Sequence, residues 1–245
     1  MSERKKVLVI GGSYFIGRVF SIMASRSEKF DLTVINRGKF PLNLPNVCEH
    51  HCDRNDTLAM KEFLQGKSFD ATVDFCALQK GDSAFLLEML KENAGHYIYI
   101  SSLSILEASN DKKDENAPYS SNSHLMEYIA NKLSNEKDTL AFCKENNIDY
   151  TVLRPSFVYG PFNYAPRESF YFKHIFAGTP FPQPTDSTSK FNFVYVADIA
   201  KAITEVIENE KSKNEIFNLA APEDITYESY LETLKKVCEE EVLCY

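Results

Sequence analysis

No run in this 245-residue chain approaches the roughly 18 uninterrupted apolar residues that a membrane-spanning helix needs. The opening MSERKK leads straight into a strand pattern with no apolar signal segment between, so the expectation is a cytoplasmic protein without a membrane partner. Basic residues are in short supply. Against 35 Asp and Glu stand 27 Lys and Arg, a formal net charge of −8, which on average repels a nucleic-acid duplex and disfavours nucleic acid as a partner. The six cysteines, at 48, 52, 76, 143, 238 and 244, lack the dense, regular spacing of a small disulfide scaffold, so reduced thiols are expected. The exception to that scatter is CEHHC at 48–52. On an extended strand Cys48, His50 and Cys52 share one face, but a closed zinc site draws its ligands from two separated segments. The segment reads equally well as the third strand of an α/β unit, and no metal is expected.

What the chain does contain is an ordinary soluble composition, 44% hydrophobic and 25% charged, enough for one large core. No repeat or low-complexity stretch interrupts it. Apolar, β-rich runs at 6–10, 32–35, 47–51, 71–75, 96–100, 149–153 and 216–219 alternate with helical patterns, which implies a mostly parallel sheet covered on both faces. The fold class is α/β, a doubly wound Rossmann-type domain. The reading divides the chain into 1–162, the dinucleotide-binding domain, and 163–245. The second part is Pro-rich and mixed, supplying a small C-terminal substrate cap and, within 194–220, a last strand that returns to the main sheet.

The first strand pattern, KVLVI, runs into GGSYFIG (Gly11, Gly12, Ser13, Tyr14, Phe15, Ile16, Gly17) and then a helical pattern. A dinucleotide loop uses one glycine for the tight turn, a second for close approach to the pyrophosphate and a third for helix–strand packing. Gly11 and Gly12 supply the turn and Gly17 the packing contact, while Tyr14 holds the middle place. A Cβ is tolerable there if φ stays negative, because the phosphate can still use the N–H groups of the helix N-terminus. The second strand ends in Asn36 and Arg37 where a carboxylate would normally meet the adenosine ribose. A guanidinium there can take a 2′-phosphate, so the cofactor expected is NAD(P), with NADP favoured. YIANK places Tyr128 and Lys132 on one face of a helix expected over about 124–146, where an ammonium beside a phenol would pull its pKa down from about 10 toward proton exchange. The pair follows HYIYISS, whose hydroxyls Ser101 and Ser102 fall at the ligand-binding edge of a parallel sheet.

GGSYFIG, YISS, Tyr128-x-x-x-Lys132 with Glu136 following, LRPSFVYGP at 153–161, VYVADIAKAI at 194–203 and FNLAAPEDITY at 217–227 together resemble the extended short-chain dehydrogenase/reductases. These include the NAD-dependent epimerase/dehydratase group that works on nucleotide sugars. The resemblance covers nearly the whole chain. The absent middle glycine and the NRG ending are similar to a subgroup whose loop reads GGTRFIG, which includes chloroplast stem-loop-binding proteins. The resemblance implies that Tyr128 is the general acid/base, that Lys132 holds the nicotinamide ribose and that Ser102 hydrogen-bonds the reacting hydroxyl. It places Asp53 at the adenine, Cys76, Ala77 and Ser101 along the cofactor's path, and Pro155 and the backbone near Val158 beside the nicotinamide. Leu103 and Ser104 stand where dehydratases carry an Asp-Glu pair, which disfavours dehydration. Arg167 is a candidate for a substrate diphosphate. A homodimer through the helix carrying Tyr128 and its neighbour is implied. Relatives continue well past CEEEVLCY, so the expectation is either an abbreviated lid or a fragment. Three readings follow: a nucleotide-sugar epimerase or NAD(P)-dependent reductase, a cofactor-binding regulator or RNA-associated protein, and a scaffold, which has no need of the Ser, Tyr and Lys set.

Overall fold

A computed structural model describes residues 3–107, 114–121, 126–185 and 189–238. Its elements run β1 (Lys5–Ile10), α1 (Phe15–Ser25), β2 (Phe30–Asn36), β3 (Val47–His51), α2 (Thr57–Leu64), β4 (Ala71–Asp74), α3 (Asp82–Leu90), β5 (His96–Ile100), α4 (Glu127–Asn146) and β6 (Tyr150–Pro155). After these come β7 (Phe157–Tyr159), α5 (Glu168–Phe176), β8 (Lys190–Phe191), β9 (Phe193–Tyr195), α6 (Val196–Glu208), β10 (Glu215–Leu219), β11 (Ile225–Thr226) and α7 (Tyr227–Cys238). Among the described residues no helix is long and apolar enough to cross a membrane.

The seven strands expected from the sequence make up the main sheet, their ends shifted by one or two residues. The order is β10-β6-β5-β4-β1-β2-β3, with every neighbouring pair parallel. Alternation along the central strand sends side chains to both faces, as the near-continuous apolar run of β1 requires. Val7 and Val9 join a core with Val19 and Phe20 of α1 and Ile199 and Ile203 of α6. Leu8 and Ile10 face a second core with Leu86, Leu87 and Leu90 of α3 and Cys143 of α4. Helix α6 buries Val196, Ile199, Ala200, Ile203, Val206 and Ile207, an apolar stripe at helical spacing.

Beyond β6 the chain forms features that the sequence pattern did not announce. One is a two-stranded parallel ribbon, β7 with β9, and another an antiparallel pair, β8 with β11. Helices α5 and α7 close a small third core around Ile175, Phe181 and Leu234. The start expected for α4 near His124 lies outside the described residues, as does CEEEVLCY beyond Cys238. Asn147, at φ +53°, ends α4 in a left-handed cap whose N–H bonds to Cys143 O.

Helix α4 is pinned to the sheet by a buried ion pair. Arg154 of β6 donates through Nη2 to Glu136 Oε1 at 2.5 Å and through Nε at 3.1 Å, with both residues essentially inaccessible. The remaining donors reach Glu115 O and Tyr119 Oη, tying the 114–120 segment to the same point. We expect Glu136→Ala to destabilise the fold by about 3–5 kcal/mol, because it leaves a buried guanidinium uncompensated. The double variant Glu136→Leu/Arg154→Met should recover most of that loss in denaturant titrations, since it removes both charges together.

Candidate active site

In a parallel doubly wound sheet the ligand crevice opens where strand order reverses, here between β1 and β4. The loop after β1 and the residues after β4 meet there. Gly11, at φ +82°, lies so close to Cys76 that an added Cβ would stand 2.8 Å from the cysteine Cβ. A Cβ on Gly17 would be 2.4 Å from Gly11 O, so Gly17 allows α1 to pack against the turn. Tyr14 has φ −137° and ψ 140°, extended backbone that tolerates a side chain, and it occupies the N-cap of α1. The strained position is one residue on, where Phe15 adopts φ +41°. Ser13 is buried, and its carbonyl accepts from Arg18 Nη1. Ile16 packs half-buried against the core. No acidic residue occupies the first turn of α1, so the positive end of its dipole is left for an anion.

At the end of β2 the two residues singled out part company. Asn36 is buried and engaged, donating to Glu49 Oε1 at 2.7 Å and accepting from Gly38 N at 2.7 Å. Burial would raise the Glu49 carboxyl, but the bonds from Asn36 and from the backbone N–H groups of Leu42 and Asn43 hold it below its usual range. Arg37 is exposed, with no hydrogen bond or ion pair among the described residues. Asp53 is exposed and accepts from Asn55 N, while Asp56 caps α2. The CEHHC side chains go separate ways. His50 stacks on Phe63, His51 approaches Glu49, Cys52 is buried, and Cys48 faces outward.

Beneath the crevice lies a charged cluster that no local sequence pattern marks. Arg54, buried, grips Asp74 of β4 with Nη1 at 2.8 Å and Nη2 at 3.1 Å and also donates to Asp82 O. Asp74 accepts further from Tyr97 Oη and Cys76 N. Burial would lower the Arg54 pKa, but the Asp74 carboxylate holds it well above its ordinary value. Burial pushes the Cys76 thiol up to about 11 against the pull of Arg54. Ala77 is fully buried beside it.

Lys132 of α4 reaches the carboxyl edge of β5, donating from Nζ to Ile100 O at 2.7 Å. Burial brings its pKa down to about 8, opposed mainly by Asp74. Next along the chain is Ser101, whose buried Oγ has no partner among the described residues, and then Ser102, whose Oγ accepts from Ser104 N. Tyr128, one turn before Lys132, is 45% exposed, and its hydroxyl has no hydrogen bond among the described residues. Its pKa differs from the sequence expectation. Burial and then the Tyr164 phenol raise it, Arg167 lowers it, and Lys132 is not among the groups acting on it. The reason is direction: the ammonium turns under the helix to the Ile100 carbonyl, across the face of Tyr99 at 5.1 Å. Pro155 is buried at the end of β6, and the Val158 carbonyl accepts from Arg167 Nη1 and Asn163 Nδ2. Arg167 also lies over the Phe157 ring. The open depression lined by Leu58, Glu62, Gly66, Met89 and Asn93 includes none of these residues.

The lowered Lys132 pKa fixes a pH dependence. Above about 8 the folded protein releases a proton that the unfolded chain keeps until about 10.5, so this group makes stability rise with pH across that window. Lys132→Met removes the titration. Denaturant midpoints of wild type should therefore gain on those of the variant between pH 8 and 10, and parallel profiles would contradict the buried ammonium.

The chain matches the NAD dependent epimerase/dehydratase family over residues 7–220. It is 29% identical to the chloroplast stem-loop binding protein of 41 kDa b of Arabidopsis thaliana across 97% of this chain, and it spans 63% of that relative's length. Among solved structures it resembles a UDP-N-acetylglucosamine 4-epimerase of Methanobrevibacter ruminantium M1 in complex with UDP-N-acetylmuramic acid. That similarity has a TM-score of 0.85 at 23% identity, covering 100% of this chain and 86% of that one. It also resembles a UDP-glucuronic acid 4-epimerase of Bacillus cereus in complex with UDP-glucuronic acid and NAD, with TM-score 0.82, 21% identity and coverage of 98% and 85%. A dTDP-glucose 4,6-dehydratase of Bacillus anthracis in complex with NAD aligns with TM-score 0.83, 19% identity and coverage of 98% and 85%. With the match running from the first strand to the last strand of the sheet, this chain belongs to the NAD-dependent epimerase/dehydratase family.

Proposed function

We propose that this protein is an NAD(P)-dependent oxidoreductase or epimerase acting on a hydroxyl-bearing carbon of a nucleotide sugar or similar small molecule. The observation that carries the reading is Lys132 Nζ at the carboxyl edge of β5, with Tyr128 one helical turn away. The residues present fit a dinucleotide: a glycine cradle that a Cβ would fill, an unneutralised helix N-terminus and the orphaned Ser101 hydroxyl. An ammonium has three donors and Lys132 spends one on Ile100 O, which leaves two for ribose hydroxyls. Cys76, Ala77, Pro155 and the backbone near Val158 would line the nicotinamide's path, and Asp53 would meet the adenine. Arg37, with no other side-chain bond among the described residues, favours NADP over NAD by offering a fork for a 2′-phosphate.

When bound, the nicotinamide supplies the hydride acceptor or donor. Tyr128 takes or returns the hydroxyl proton, and Ser102 steadies the oxygen. Burial and Tyr164 raise the phenol's pKa, which favours the protonated form that returns a proton to a carbonyl; the same group takes the proton when a hydroxyl is oxidised. Arg167, whose guanidinium keeps donors beyond the one on Val158 O, would take a substrate phosphate. Leu103 and Ser104 offer no second acid and base, so water elimination is disfavoured. Nucleotide sugars are the favoured substrates because structures of the same fold hold UDP-sugars. A homodimer packed through α3 and α4 completes the reading.

The likeness to a protein named for stem-loop binding favours a second reading, a non-catalytic or RNA-associated cofactor-binding protein. One experiment separates the two: calorimetric titration with NADH and NADPH, followed by assays of UDP-sugars with wild type and Tyr128→Phe. We expect dinucleotide binding in both proteins, tighter for NADPH, and turnover that falls by about a hundredfold or more in Tyr128→Phe. Binding without Tyr128-dependent turnover would support the second reading instead.

A further inference from the structure

The tyrosine in the glycine position belongs to a contact that neither the fold nor the proposed chemistry calls for. Its ring stacks on Phe40, from the β2–β3 connection, with centroids 4.9 Å apart and planes within 12°. It also stacks on Tyr164, from the segment after β7, at 5.6 Å and 17°. The Tyr164 ring in turn meets Phe15 edge-on at 5.8 Å. One step earlier, Phe162 lies under the Arg18 guanidinium at 5.1 Å, in the left-handed region at φ +64°. Arg18 itself reaches toward the carbonyls of Ser13, Phe40 and Pro41. Residues 162–164 are therefore laid along the first turn of α1, the place where a helix N-terminus would take a diphosphate. At their other end they are anchored through Asn163 and Arg167 to Val158 O and through Glu168 to Gly160 N.

Three chain segments thus meet at rings that stay 45%, 50% and 64% exposed for Tyr14, Phe40 and Tyr164. Burial of so little apolar area contributes little to folding, so a stack at this place earns another explanation. Tyr164 is also the phenol that acts on Tyr128, so the same segment spans from the glycine loop toward the proton-exchanging group.

We propose that Tyr14 is a cofactor-retaining residue: clasped by Phe40 and Tyr164, it straps the 160–165 segment across the glycine-loop end of the crevice, and a bound dinucleotide leaves only when this stack opens. The inference rests on the cofactor reading and deepens it. Retention suits a reaction that returns the hydride to its own substrate, as epimerisation does, better than one that must exchange the dinucleotide at every turnover.

The test is a stopped-flow chase. Protein loaded with NADH, or in a parallel arm NADPH, is mixed with excess oxidised dinucleotide, and the loss of nicotinamide fluorescence gives the release rate. Tyr14→Ala and Tyr164→Ala should each speed release by about tenfold, the scale of lost ring contacts, whereas Tyr14→Phe, which keeps the stack, should stay within about twofold of wild type. Because the two rings form one latch, the double alanine variant should release no more than about twofold faster than the quicker single variant. Unchanged release in both single variants, or effects that multiply in the double, would overturn retention while leaving cofactor binding intact. Failure of wild type to bind either reduced dinucleotide would instead sink the cofactor reading, and retention with it. Amide hydrogen exchange over 160–166 gives an arm that needs no cofactor: exchange should quicken in Tyr14→Ala, and identical protection would overturn the strap.

Discussion

The placement of the phenol and the ammonium depends on a helix that packs on its sheet through polar side chains. The buried residues of α4 are Lys132, Asn135, Glu136, Thr139 and Cys143, and four of these five must find partners or carry a desolvation penalty. Each does. Lys132 bonds Ile100 O, Asn135 accepts from Ser83 N and donates to Gln79 O, Glu136 takes Arg154, and Thr139 donates to Asn135 O. An apolar stripe tolerates small rotations of a helix because dispersion is weakly directional. A row of directed bonds to other elements does not, since turning α4 by one residue, about 100°, would break those of Lys132, Asn135 and Glu136 together, while the Thr139 bond lies within the helix. The helix that carries the proposed acid/base is thereby fixed in rotation by groups one and two turns below it.

The glycine loop shows the complementary economy, in which side chains are omitted where backbone must touch backbone. Gly17 and Gly11 cannot be replaced without driving a Cβ into Gly11 O or Cys76, whereas Tyr14 sits on extended backbone where any residue fits. The three glycines of a dinucleotide loop are thus unequal in physical terms. Two answer to contacts within the protein, and the middle one answers to what approaches from outside. A substitution at the middle place therefore leaves the fold intact and alters the entrance.

Sequence made the strands of the sheet legible because full burial on two faces writes itself as uninterrupted apolar runs, whereas their order came only from the structure. Tyr128 and Lys132 were legible as a pair because four residues span one helical turn. Their electrostatics were not. The spacing placed ammonium and phenol on one face, but Lys132 turns to the Ile100 carbonyl, a partner 32 positions away that no local pattern marks. Arg54 and Asp74 escaped notice for the same reason, since charged residues read as solvated until tertiary structure encloses them. Asn36, a candidate cofactor contact by its place at the end of β2, also donates to Glu49 of the neighbouring strand, a bond that no local pattern marks. The aromatic stack joins positions 14, 40 and 164, a distance over which periodicity carries no information.

The charge balance near the crevice explains how an acidic chain can present an anion site. Asp74 ends β4 at the switch point and Asp82 opens α3 just beyond, so left alone both would repel a diphosphate. Arg54 neutralises the first with a two-pronged bond and approaches the second within 3.9 Å, and Tyr97 and Cys76 N add donors to Asp74. The backbone N–H groups of Leu78 and Gln79 take up the Asp82 carboxylate. With those oxygens turned inward and satisfied, Arg54 and Lys132 balance Asp74 and Asp82, and the partial positive charge at the N-terminus of α1 and the spare donors of Lys132 are what an anion meets. In a partly desolvated crevice these count for more than exposed carboxylates at distances beyond the roughly 8 Å over which salt screens them. The net charge of −8 thus describes the whole chain, while beneath the crevice one buried arginine cancels the Asp74 carboxylate and Lys132 offsets that of Asp82.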